Sequence, residues 1–86
     1  MNYTYEEILA ILPQSVKDNY ILDHHEKLNL FMITSHWSSG GTRLTNSFPI
    51  EDIYEIFVND ISVELRSLKY NVSIFLNVRY VITQVF

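Results

Sequence analysis

From Tyr70 to Phe86 the chain runs for 17 residues without a Gly or Pro. Val72, Ile74, Leu76, Val78, Tyr80 and Ile82 alternate with Asn71, Ser73, Asn77, Arg79 and Thr83, the pattern of a half-buried strand. At about 3.3 Å per residue, such a strand would reach roughly 55 Å if straight. A chain of 86 residues folds to a radius of gyration near about 12 Å. The strand must therefore bend, break at a bulge near Asn77, or leave its own subunit and pair with a second chain.

The length leaves room for one domain, spanning residues 1–86. Hydrophobic residues make up 48% and charged residues 19%, with two Gly and two Pro, which is the composition of a folded chain. No internal repeat or linker divides it.

Thr4 to Leu12 reads as a short helix. Thr4 and Glu7 have the spacing of a capping box, and Glu6 and Glu7 suit the positive end of the helix dipole. Pro13 ends this run or starts a second helical turn. Gln14 to Lys27 reads either as helix or, preferably, as a short strand at Tyr20-Ile21-Leu22 followed by a polar turn. Leu28 to Trp37 reads as a strand covered on both faces. Ser38-Ser39-Gly40-Gly41 makes a turn, and Thr42 to Phe48 returns as the second arm of a hairpin. From Pro49 to Lys69, Ile50, Ile53, Tyr54, Phe57, Ile61, Leu65 and Leu68 follow helical spacing. Pro49 suits the first helical position. Five Ile or Val between Ile50 and Ile61 lower helix propensity, so burial has to hold this helix. The expected architecture is an α+β fold in the order α-(β)-β-β-α-β: a small, mainly antiparallel sheet of three or four strands with two helices.

Six Lys and Arg against ten Asp and Glu give a formal charge of −4. An acidic chain repels phosphate at long range, which argues against generic nucleic-acid or anionic-membrane binding. No apolar stretch is long enough to span a membrane, and the N-terminal residues lack the pattern of a signal peptide. The absence of Cys removes disulfides, thiolate metal sites and Cys nucleophiles, and favours a cytoplasmic location.

Asp23-His24-His25-Glu26 is the densest ionisable cluster, but adjacent residues rarely face one ion, and a polar turn explains it. His36 beside Ser35 and Ser38 lacks the nucleophile elbow and the orienting third group of a serine hydrolase. Ser38 to Arg43 lacks the spacing of a phosphate-binding loop. The sequence thus points to no enzyme, no metal and no cofactor.

Two surfaces remain for a partner. On the expected long helix, Ile56 and Val63 fall opposite the main apolar stripe, an apolar pair needing cover from the first helix or from another chain. The acids Glu51, Asp52 and Glu55, with Glu6, Glu7, Asp60 and Glu64, form an acidic helical surface suited to a basic protein. Trp37 and Arg43 at the hairpin tip are further candidate contacts. The sequence reading is a small, acidic, non-enzymatic protein–protein interaction module. Its partner is another protein with a basic surface, and the chain forms a homodimer through the C-terminal strand or the Ile56/Val63 face. By analogy of composition, phage and mobile elements use such proteins to bind and inhibit host factors. The alternative is nucleic-acid or nucleotide binding through the sheet and the Gly40-Gly41 tip, and a third is catalysis by His24, His25 or His36.

Overall fold

The computed structural model describes residues 3–35, 45–76 and 79–84. Two short helices come first, α1 (Tyr5–Ile11) and α2 (Gln14–Asn19), and every later element is extended except one short turn. The strands are β1 (Tyr20–His25), β2 (Leu30–Ser35), β3 (Thr45–Pro49), β4 (Ile53–Val58), β5 (Ser62–Ser67), β6 (Tyr70–Phe75) and β7 (Arg79–Gln84). A 3-10 turn, Ile50–Asp52, joins β3 to β4. The first three strands form one antiparallel sheet and the last four another, each in sequence order. The fold is α+β as expected, but with seven described strands in two sheets rather than three or four in one.

Local chemistry sets the helix ends. The Thr4 hydroxyl accepts from the Glu7 N–H at 3.1 Å, and the Glu7 carboxylate accepts from the Thr4 N–H at 3.0 Å. This is the capping box the sequence predicts. Pro13 separates the helices as the N-cap of α2. At the β1–β2 turn, Asn29 adopts φ 52°, a left-handed conformation that Asn tolerates better than most residues.

The inner faces of the two sheets share one core. Tyr20, Phe31, Ile33 and Phe48 from the first join Ile53, Val63, Leu65, Val72 and Ile74 from the second, with Ile8 and Val16 from the helices, Leu12 at the end of α1 and Ile50 from the 3-10 turn. Phe31 stacks on Phe48 at 5.8 Å between ring centroids, and Phe48 meets Tyr70 at 6.4 Å. The Tyr20 hydroxyl donates to the Phe75 carbonyl at 2.9 Å, a direct bond between the sheets. In β2 only one face is fully buried: Phe31 and Ile33 are inaccessible, while Leu30 and Met32 are half-buried. The strand expected to be covered on both faces is covered fully on one and partly on the other.

The predicted helix over 49–69 does not form. That stretch is instead a 3-10 turn followed by the β4–β5 hairpin. Burying β-branched residues on a sheet satisfies them better than a helix does, and Asn59 supplies the reversal. Its side-chain oxygen accepts from the N–H groups of Ile61 and Ser62, each at 2.9 Å. Ile61 and Leu68, placed by helical spacing on the buried stripe, sit in turns and are 69% and 83% exposed.

The C-terminal run is not the single bent, bulged or exchanged strand expected; it reverses on itself as a hairpin. β6 ends at Phe75, β7 begins at Arg79, and the two pair antiparallel from Tyr70↔Gln84 to Phe75↔Arg79. Asn77 itself lies outside the described residues. No second chain is needed to accommodate this segment, and the radius of gyration is 12.3 Å.

Candidate interaction edge

β4 lies at one edge of the four-stranded sheet, with β5 beside it. Its sequence is Ile-Tyr-Glu-Ile-Phe-Val. Tyr54, Phe57 and Val58 are 51%, 46% and 45% exposed, and Ile61 follows at 69% in the turn. The register shifts between Ile53 and Glu55, so Tyr54 is the extra residue of a β-bulge.

The backbone of β4 has a definite polarity. The Asn59 N–H donates to the Ser62 carbonyl at 3.0 Å. Antiparallel ladders alternate hydrogen-bonded and non-bonded pairs. Counting back from Asn59, Phe57↔Glu64 and Glu55↔Arg66 are bonded pairs, while Val58↔Val63 and Ile56↔Leu65 are not. The Leu76 N–H donates to the Ile61 carbonyl at 3.0 Å on the far side of β5, which fits the same alternation. The N–H and C=O groups of Ile56 and Val58 therefore turn away from β5, toward the open edge. Among the described residues, no strand pairs with them.

Natural sheets blunt their edges with Lys, Pro or inward charges. The edges of the first sheet follow that practice: β3 is Thr-Asn-Ser-Phe-Pro, and β1 carries Asp23 and His25. β4 has no Lys or Pro. Its one charge, Glu55, is taken by Arg66 at 2.5 Å. Arg66 also binds Glu64 at 3.0 Å and lies over the Phe57 ring at 5.0 Å. Asn71 donates to Glu64 at 3.0 Å. These hydrogen bonds, Asn71 first and Arg66 second, hold the Glu64 carboxyl below its ordinary pKa, and the bond to Glu64 raises the Arg66 guanidinium.

The sequence-predicted contact residues separate into three groups. Glu51 and Asp52 lie on the 3-10 turn entering β4, and Glu55 and Ile56 lie on β4 itself, so four of them fall on one edge. Val63 is fully buried, and Ile56 packs against the core. They form no exposed apolar pair, because the helix that would have placed them opposite the stripe is a hairpin. For the same reason the acids share no helical face: Glu6 and Glu7 lie on α1, Glu55 on β4, Asp60 in the turn and Glu64 on β5. Trp37, Arg43, His36 and the Gly40-Gly41 tip lie outside the described residues.

The polar turn expected at Asp23-His24-His25-Glu26 begins only at Glu26: Asp23, His24 and His25 end β1, paired with Met32, Phe31 and Leu30 of β2, and the two histidines brace the turn that follows. His24 stacks on Tyr5 with ring centroids 4.9 Å apart, and its Nε2 lies 2.8 Å from the Asn29 side-chain oxygen. His25 Nδ1 accepts from the Leu28 N–H at 3.2 Å. Burial first, then the charges of Asp23 and Glu6, push the Tyr5 hydroxyl to a higher pKa. No group of three or more His, Asp and Glu side chains suited to a metal forms among the described residues. A cleft of about 230 Å³ lies between α1, α2 and β1, lined by Tyr5, Leu9, Lys17, Tyr20 and Leu22, and it gathers no paired acid and base.

Sequence reasoning missed the open edge because it read β4 as helix. The available signal was Asn59-Asp60, a turn pair between two runs rich in Ile, Val and Phe. Among the described residues, no helix is long and apolar enough to cross a membrane. Compared with protein-family models, curated proteins and solved structures, the chain matches none of them.

Proposed function

We propose that this chain is a small non-enzymatic protein–protein interaction module that engages another protein through the open edge of β4. The observation carrying this reading is the run Tyr54, Phe57, Val58 and Ile61, all about half exposed or more, on and beside an edge strand without Lys or Pro. Apolar surface concentrated on an unprotected edge suits contact with another molecule. Glu51, Asp52 and Asp60 flank it and favour a basic partner, raising the encounter rate at low salt. Inhibition of a host factor by a phage or mobile-element protein is one setting such a module fits. Arg66, held by the carboxylates of Glu55 and Glu64, has little left to offer a phosphate, which favours a protein partner over nucleic acid at this edge.

Site-specific photo-crosslinking tests the reading. A photoreactive residue replacing Tyr54 should give a discrete, stoichiometric adduct with another protein, and the same group at Ile21 on β1 should not. Charge reversal at Glu51 and Asp52 should reduce the adduct. Equal labelling from both positions, or none from either, contradicts an interaction module working through this edge.

A further inference from the structure

Resting on that reading, we infer that the occupant of the β4 edge is an extended segment of a partner protein, apolar at alternate positions and carrying Lys or Arg toward its ends, added to the sheet as a fifth strand. The backbone supplies the first argument. Ile56 and Val58 present two N–H and two C=O groups in the plane of the sheet, the pattern that an incoming strand completes. Side chains supply the second. Phe57 extends the outer row Glu64–Ser73, and Ile56 extends the inner row Leu65–Val72. A strand laid beside β4 therefore meets apolar neighbours on both faces, and apolar residues at alternate positions would join the core side.

Charge supplies the third argument and selects the occupant. Glu51 and Asp52 stand at the entry of β4 and Asp60 at its exit, while Glu55 between them is already matched by Arg66. Six residues of β4 span about 20 Å. A segment of that length with a cation near each end places one by Asp52 and one by Asp60. A second copy of this chain fits worse. In the two-fold antiparallel pairing of β4 with itself centred on Ile56, Asp52 of each copy stands opposite Asp60 of the other. Acid then faces acid twice, on a chain already at −4.

The test uses the full chain with two fluorescein-labelled heptapeptides. Both have Val at alternate positions and Thr between them; one ends in Lys on each side, the other in Glu. Binding is read by anisotropy at low and high salt, and backbone amide exchange is followed by NMR. The Lys-ended peptide should bind and the Glu-ended one should not. Raising the salt should weaken binding, and exchange of the Ile56 and Val58 amides should slow on complex formation. Val58→Pro removes one outward N–H and should lower affinity at least about tenfold. Val58→Lys, which charges the edge without touching the backbone, does the same if Val58→Pro fails to fold. Equal binding of the two peptides overturns the charge assignment. Binding that ignores both variants and leaves the two amides unprotected overturns strand addition. Dimerisation of the chain that either variant relieves assigns the edge to a second copy, which overturns the basic segment while leaving an interaction edge in place. No binding by either peptide to a monomeric chain also overturns the inference; the broader reading then stands or falls on the crosslinking experiment.

Discussion

Single residues carry several of the decisive geometric features. Thr4 satisfies an exposed amide at the start of α1, and Thr4→Ala should cost about 1 kcal/mol in urea unfolding. Asn59 accepts two backbone N–H groups in the turn that converts an expected helix into a hairpin. Asn59→Ala should destabilise the chain by about 1–2 kcal/mol, and Asn59→Asp, which keeps the acceptor, by much less. Glu64 gives a pH dependence with a definite sign. Its folded pKa lies below the ordinary glutamate value of about 4.3, so folding favours the ionised form. The contribution is complete above that ordinary value and is lost as pH falls through the lowered folded value. Urea unfolding between about pH 6 and about pH 3 should show Glu64→Gln losing less stability than the parent. Equal losses would place Glu64 outside the network. Tyr70 acts in the opposite sense. Burial and then the charge of Asp52 raise its pKa, so its contribution holds below the ordinary tyrosine range and is lost as pH rises through the higher folded value.

The elements show how far the sequence could be read. α1 was legible because capping is local: Thr4 and Glu7 interact across three residues, whatever surrounds them. The β2–β3 pairing was legible for a similar reason, since alternation and an intervening Gly pair specify a hairpin. The stretch 49–69 was misread because Ile53, Phe57, Ile61 and Leu65 satisfy a helical stripe by spacing alone. In the fold, Ile53 and Leu65 are core, while Phe57 and Ile61 are surface. From Val63 on, β5 alternates, with Val63, Leu65 and Ser67 inward and Glu64 and Arg66 outward, and that period of two was hidden inside the longer pattern. Of the candidate contact residues, Glu55 and Ile56 lie on β4 rather than on a helical face, and Glu51 and Asp52 lie on the 3-10 turn that leads into it. Their grouping survives because they are near in sequence; Val63 drops out because the hairpin carries it to the core. Proline substitution along β4 separates the two geometries. Phe57→Pro removes a ladder bond to Glu64 and should cost on the order of 2 kcal/mol or more. Val58→Pro removes an outward N–H and should stay within about 1 kcal/mol of the parent. In a helix, both would be strongly disruptive.

At the scale of the whole molecule, two sheets and two short helices close over one core, and the edges of those sheets decide what the surface can do. The first sheet presents polar or proline-bearing edges, and the second presents β4 at one edge and β7 at the other. A core shared so widely makes the fold sensitive at its centre. Phe31 touches Phe48 and Tyr5 and is inaccessible, so Phe31→Ala should cost about 3–5 kcal/mol. For a chain of this size the total is about 4–13 kcal/mol, so calorimetry should show a transition lowered by many degrees or lost. The account rests most heavily on β4 being a strand with one side open. Residue-resolved amide hydrogen exchange on the isolated chain tests this most directly. The amides of Glu55, Phe57 and Asn59 should be protected, and those of Ile56 and Val58 should exchange fast. Uniform protection from Ile53 to Asn59 would mean that a helix or another segment covers this edge, and would contradict the account.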